Sequence, residues 1–217
     1  MLDFSFFVEK RNPAILCLGA HADDIEIGCG GTILKLVSDL PEVQFYWIVF
    51  SGDKKRAKEA KQSAAIFLRE AKSKNIIVHD FRESYFPFCG ADIKDFFEKL
   101  KHRLSPDLIF THYRSDYHQD HRLLSNLTWN TFRDNFILEY EIPKYDGDLG
   151  KPNLYSNLNE TLVQRKVKYI CDVFQSQTEK QWFTEDTFKS ILRIRGLESN
   201  SPNRYAEAFY CRKIVFK

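Results

Sequence analysis

The sequence predicts a single α/β domain over residues 1–217, a Rossmann-like, mainly parallel sheet with helices on both faces. Three observations carry that expectation. Short apolar runs bounded by glycine or proline alternate with stretches of helical periodicity, the signature of a parallel sheet covered on both sides. At 217 residues, 43% of them hydrophobic, the chain suits one sizeable core. Two clusters of histidine and carboxylate each follow directly on a buried-strand run, and ligands of open parallel sheets bind at that end of the strands.

The elements follow in order. Ala14-Ile15-Leu16-Cys17-Leu18, between Pro13 and Gly19, reads as a buried central strand. Gly30-Gly31-Thr32 lead into a buried helix through Ile33, Leu34, Leu36 and Val37. Residues 43–50 are a second strand, rich in aromatic and β-branched side chains. Residues 54–71 read as a helix with Ala57, Ala60, Ala64, Phe67 and Leu68 inward; Lys54, Lys55, Lys58 and Lys61 fit its solvated face. Residues 75–79 are a third strand and 81–90 a loop. Asp92 is expected to cap a helix bearing Ile93, Phe96, Phe97 and Leu100. Leu108-Ile109-Phe110-Thr111 is a fourth buried strand, and 136–142 a fifth by its alternation. Residues 143–159, rich in Pro, Gly, Asn, Asp and Tyr, read as a loop on the pocket rim that shapes substrate choice. Helices over 160–174 and 186–194 precede a terminal edge strand, 208–216.

Composition narrows the function classes. A formal charge of +2 with scattered basic residues does not point to a nucleic-acid binder. Residues 2–10 are too acidic for a signal peptide, and no stretch approaches the ~20 apolar residues of a membrane span. The five cysteines form no CxxC pair and fit a reducing compartment, so a cytoplasmic protein is expected, with room for a homo-oligomer.

The first cluster is Ala20-His21-Ala22-Asp23-Asp24-Ile25-Glu26. Its position suits a dinucleotide turn, but a pyrophosphate needs glycines and free N–H groups, not three carboxylates. The charge calls for a cation, and an imidazole beside carboxylates suits a borderline metal such as zinc. Capping aspartates on a surface turn are the plainer alternative. The second cluster, Asp116-Tyr117-His118-Gln119-Asp120-His121, follows the fourth strand and meets the same rim. A further histidine beside His21 and a carboxylate leaves a vacant coordination position, the composition of a catalytic zinc site. The spacing gives Asp23 and Asp24 equal claims as ligand. Cys29 reads as packing among helix-start glycines, and His79, His102 and His112 as strand-end or surface residues. Glu26 is either an acceptor behind the site or a charge on the helix dipole. Arg56 either pairs with Glu59 or reaches a substrate oxygen. Tyr113, Tyr117, Tyr145 and Tyr155 are candidates to stack on a sugar ring.

His21-Ala22-Asp23-Asp24-Ile25-Glu26 with Gly28-Cys29-Gly30-Gly31-Thr32 resembles the AHPDDE…GCGGT motif of the PIG-L/LmbE family of zinc-dependent N-deacetylases. Residues Asp116 to His121 resemble that family's DxHxDH motif, Arg56–Glu59 its RxxE helix and Tyr205-Ala206-Glu207-Ala208-Phe209 its AEAF. Ala22 and Gln119 stand where the family has proline, positions that carry no chemistry. The resemblance implies that His21, Asp24 and His121 hold Zn2+ or another divalent transition metal. It implies Asp23 as the general base on the zinc's water, His118 as the oxyanion stabiliser, and Asp120 as a support that orients a histidine. Chemically, zinc brings the pKa of water from about 16 to about 7, a neighbouring carboxylate takes the proton, and an imidazolium opposite stabilises the developing charge.

The expected function is therefore hydrolysis of an N-acetyl group from a small amino-sugar conjugate, giving free amine and acetate. The rivals are a deacylase of a non-sugar amide such as an antibiotic precursor, a metal-binding protein without turnover, and a nucleotide-binding oxidoreductase. The last is disfavoured by the acidic first turn.

Overall fold

The computed structural model describes residues 12–40 and 42–215. The signal-peptide reading of residues 2–10 and the last residue of the expected terminal strand, 216, lie outside them. Seven strands form one sheet in the order β3-β2-β1-β4-β5-β7-β6. Strands β1 (Ala14–Gly19), β2 (Gln44–Val49), β3 (Ser73–Val78), β4 (Leu108–His112) and β5 (Phe136–Tyr140) pair in parallel. The strand order reverses between β1 and β4, and a ligand crevice opens at such a switch point. Both sequence clusters leave the sheet there.

Alternation along the central strands feeds two cores. Ile15, Cys17, Phe45, Trp47 and Val49 pack on one face; Leu16, Leu18, Ile48 and Phe50 pack on the other. Helices α1 (Asp24–Asp39), α2 (Lys54–Phe67), α5 (Glu160–Val173) and α6 (Glu185–Glu198) cover the first core; α3 (Gly90–Arg103) and α4 (Gln119–Thr131) cover the second. The expected α/β class and its parallel sheet are what the chain forms. Among the described residues, no helix is long and apolar enough to cross a membrane.

Several local expectations are corrected. The terminal strand β7 (Tyr205–Cys211) is not at the edge: it runs antiparallel between β5 and β6. The edge strand on that side is β6 (Leu154–Leu158), inside the stretch read as a loop. Its sequence, Leu-Tyr-Ser-Asn-Leu, is too polar at the centre to signal a strand, and β7 supplies its backbone partners. Helix α3 starts at Gly90, so Asp92 lies in its first turn rather than capping it. Helix α2 stops at Phe67, where Leu68 closes it with bonds to Ala64 O and Ile66 O.

Close packing of α1 on the sheet depends on Gly28. A Cβ there would overlap the ring of buried Tyr140, whose hydroxyl donates to Leu18 O at 2.6 Å. Gly28→Val is expected to destabilise the protein by about 1–3 kcal/mol, the usual cost of overpacking. Urea unfolding measures it, and an unchanged midpoint would refute the packing account.

Candidate functional site

β1 ends at Gly19, and the next five residues bring a histidine and two aspartates into the crevice. Asp23 occupies the N-cap position of α1, yet its side chain makes no capping bond. Capping therefore does not explain the aspartates. Asp24 accepts the His21 N–H at 2.6 Å, which ties the turn to itself. From β4, the turn at 113–117 leads to His118, the N-cap of α4; its ring accepts from Asp120 N at 3.3 Å. His121 follows on the first turn of α4.

The structure places His21, Asp24 and His121 side by side, and their ligand atoms fall in two overlapping groups, His21 with His118 and His121, and Asp24 with His112 and His121. His121 Nε2 lies 3.1 Å from His21 Nδ1 and 3.6 Å from Asp24 Oδ1, and His21 Nδ1 lies 3.4 Å from Asp24 Oδ2. Ligands about 2.0–2.2 Å from a tetrahedral zinc stand about 3.3–3.6 Å from one another. The outward nitrogens of both rings are engaged by carboxylates: His121 Nδ1 with Asp116 Oδ2 at 3.0 Å, His21 Nε2 with Asp120 Oδ2 at 3.2 Å. Such carboxylate–histidine pairs fix the ring tautomer and leave the inward nitrogens bare. His121 Nε2 and His21 Nδ1 face each other at hydrogen-bond distance beside the Asp24 carboxylate, where a proton or a metal ion can sit between them. The residues fit a divalent metal.

The titration of these groups agrees with this. Burial works against a charged His21, but Asp24 and Asp120 carry its pKa up to about 10, so a proton takes the cation's place. Burial and the neighbouring His112 bring His121 down to about 3. Burial alone would raise Asp24; His121, His112 and His21 outweigh it and hold the carboxyl well below its usual range. Burial, then the charge of His21, lowers His118, which favours a neutral imidazole where an imidazolium was expected. The His118 ring stands edge-on to His21, with centroids 4.8 Å apart.

Asp23 is treated differently from Asp24. Its Oδ1 is held by Arg56 Nη2 at 2.9 Å, while its Oδ2 is buried with no hydrogen-bond partner among the described residues. Burial raises its pKa and Arg56 pulls the other way, with a net rise. Arg56 itself spans to Glu83 Oε2 at 3.0 Å. It does not pair with Glu59, which instead holds Ser176. The neighbouring Lys54, Lys55, Lys58 and Lys61 are exposed, as their helix face suggested. Asp120 links a further segment: it accepts Ser84 N at 2.6 Å and Phe86 N at 3.1 Å, which docks residues 84–86 beside His21.

Sequence reasoning missed two residues here. His112, expected to be a strand-end or surface histidine, does end β4 but is fully buried, with its Nε2 3.2 Å from Asp24 Oδ2 and its ring stacked on His121. Its signal was its place: it directly continues a buried strand toward the rim. Asp116 was visible only as a motif letter, yet it holds His121 and accepts the His118 N–H at 2.7 Å. Cys29 packs against Ile25 O and contributes no ligand atom to either group of metal-ligand geometry among the described residues. Glu26 is buried behind the turn, and burial raises its carboxyl. Of the four tyrosines, Tyr113 stacks on Tyr210 and Tyr155 bonds Pro152 O, whereas Tyr117 and Tyr145 are exposed.

Solved structures share this fold at low sequence identity. The N,N'-diacetylchitobiose deacetylase of Pyrococcus horikoshii is 24% identical, over 90% of this chain and 82% of that one, with a TM-score of 0.63. A 4-carboxy-2-hydroxymuconate hydratase from Pseudomonas putida KT2440 is 14% identical over 94% and 98%, with a TM-score of 0.75. An antimicrobial pseudoaglycone deacetylase is 14% identical over 93% and 98%, with a TM-score of 0.68. A deacetylase and a hydratase on one fold show that the fold alone does not fix the reaction. The sequence itself is more specific: residues 16–132, more than half of the chain and the part bearing both clusters, match the model of the GlcNAc-PI de-N-acetylases. The chain belongs to the GlcNAc-PI de-N-acetylase (PIG-L) family.

Proposed function

We propose that this protein is a metal-dependent hydrolase that removes an N-acetyl group from an amino-sugar conjugate, releasing acetate and a free amine. The observation that carries the reading is the division of labour between adjacent aspartates. Asp24 lies against the facing nitrogens of His21 and His121, while Asp23 keeps a buried oxygen that has no hydrogen-bond partner among the described residues. That difference supports Asp24 as ligand and Asp23 as base, the split the resemblance implies.

His21, Asp24 and His121 would hold the ion, with zinc the first candidate. A divalent ion there would supply Lewis-acid chemistry, lowering the pKa of a water from about 16 to about 7 and polarising an amide carbonyl. Asp23 takes the proton of the attacking water on Oδ2, and Arg56 keeps the carboxylate aimed by holding Oδ1. The proton then passes to the departing nitrogen, which leaves as the amine. His118 faces the crevice with Nε2, because Asp120 N–H occupies its Nδ1, and donates to the carbonyl oxygen as charge develops there. Asp120 and Asp116 orient the two ligand rings. Residues 143–153 and the exposed rings of Tyr117 and Tyr145 form the rim where the sugar is selected.

Family membership and the chitobiose deacetylase support an N-acetylated sugar; the pseudoaglycone deacetylase supports an acylated antibiotic precursor as the second reading. The five unpaired cysteines agree with a reducing, cytoplasmic setting.

The test is acetate release over a panel of N-acetylated sugars, sugar conjugates and acylated peptides, with and without a chelator. Turnover of at least one N-acetyl sugar, lost on chelation and restored by a divalent ion, is expected. Turnover of acylated peptides alone would move the assignment to the second reading. Metal-loaded protein inert on the whole panel would refute deacetylation.

A further inference from the structure

We infer that Lys144 is a positioning residue of the metal centre, acting on His121 through Asp116. The inference rests on the proposed metal site and adds to it a residue from outside both sequence clusters.

Asp116 Oδ2 is shared: His121 Nδ1 lies 3.0 Å away and Lys144 Nζ 2.9 Å. Its Oδ1 accepts the His118 N–H at 2.7 Å. Lys144 Nζ also sits 2.6 Å from each oxygen of Asp148, and Asp148 Oδ2 accepts the Tyr117 N–H at 2.6 Å. Gly147, at φ +63°, makes the turn that brings Lys144 and Asp148 together. Residues 144–148 are therefore a strap over the turn 116–118. One end grips the side chain of Asp116, the other the backbone of Tyr117.

Lys144 joins the two ends of the strap. The side chains of Asp116 and Asp148 are 2% and 4% exposed, and both share the Lys144 ammonium. Removing one partner of a buried ionic group leaves an uncompensated charge. Without Lys144, two buried carboxylates face one another, the strap is driven off, and the 116–118 turn loses both grips. That turn carries the acceptor that orients His121 and the backbone that presents His118. A segment that reads as a substrate rim thereby also sets ligand geometry.

The sign of the effect separates positioning from simple electrostatics. Lys144 is positive, so its charge alone weakens cation binding, and deleting the charge would tighten it. Positioning requires the reverse. Metal-free full-length protein is titrated with Zn2+ against a chromophoric chelator, and with Co2+ while its visible spectrum is recorded. Lys144→Met is expected to bind Zn2+ about 10–100-fold more weakly, the usual cost of losing support behind a ligand, and to shift the Co2+ spectrum. Lys144→Arg, which keeps the cation, should recover most of the affinity and the wild-type spectrum. The melting temperature of each metal-free variant reports the fold separately. Should Lys144→Met not fold, Lys144→Gln removes the charge while keeping a donor to Asp116, and weaker binding is again expected. Binding equal to or tighter than wild type in a folded charge-neutral variant overturns the inference. Wild-type protein that binds no divalent ion overturns the metal reading itself, a distinct result.

Discussion

His121→Ala is expected to lose its divalent ion and its turnover together, whereas Asp23→Ala keeps the ion and loses turnover alone. In the proposed site His121 supplies one of three ligand atoms, 3.1 Å from His21 Nδ1 and 3.6 Å from Asp24 Oδ1. Two other histidines stand beside it, but each has a ring nitrogen engaged: His118 Nδ1 accepts the Asp120 N–H at 3.3 Å and His112 Nε2 the Ala20 N–H at 3.0 Å. His21→Ala and Asp24→Ala should behave in the same way. Asp23 keeps one buried oxygen with no hydrogen-bond partner among the described residues and has its other oxygen tied to Arg56. Its removal should slow the reaction by about 10²–10⁴, and His118→Ala by about 10²–10³, with metal retained in both. Elemental analysis of each purified variant beside its rate of acetate release separates the two classes. A metal-free Asp23→Ala protein, or a fully loaded His121→Ala protein, would show that ligand and base are assigned the wrong way round.

The parts of the site that were legible are those written within a few residues of a strand end. His21, Asp23 and Asp24 leave β1, and His118, Asp120 and His121 open α4, so short spacings reveal both groups and the sheet's switch point joins them. The parts that were not legible depend on contacts between distant segments. His112 matters because it meets Ala20, 92 residues away in sequence, and Asp24. Lys144 matters because it reaches Asp116, 28 residues back. Neither separation leaves a periodic trace. The fold shows the same division. The central parallel strands β1, β2 and β4, mostly buried, announce themselves as apolar runs. The antiparallel pair β6 and β7 is added at one side, where one strand is polar enough to resemble the loop before it.

Glu207→Ala is expected to destabilise the protein by about 3–5 kcal/mol, the cost of breaking a buried ion pair from one side. Glu207 belongs to the Ala206-Glu207-Ala208-Phe209 stretch of β7, and its place explains why that stretch accompanies the glycine-rich helix start. Its Oε1 accepts Gly31 N–H at 2.7 Å and its Oε2 accepts Thr32 N–H at 2.6 Å, both from α1. Lys166, on α5 and 1% exposed, donates to Glu207 Oε1 and to Ile27 O, each at 2.6 Å. In a regular helix the Gly31 N–H would donate to that same Ile27 carbonyl. Lys166 and Glu207 thus serve donor and acceptor of one turn from outside the helix, and clamp α1 to β7 and α5. The close approach needs glycine, since a Cβ on Gly31 would press on the Glu207 carboxylate and Leu158. Losing Glu207 strands a buried ammonium and two N–H groups at once, and it loosens the helix whose first residue is Asp24. Converting both partners, Lys166→Met with Glu207→Leu, removes the stranded charge and should cost less than Glu207→Ala alone, although the Gly31 and Thr32 N–H groups still lose their acceptor. Urea unfolding of the single and double variants measures the coupling. A Glu207→Ala protein within about 1 kcal/mol of wild type, below the range for a broken buried pair, would show that the clamp does not hold α1 in place.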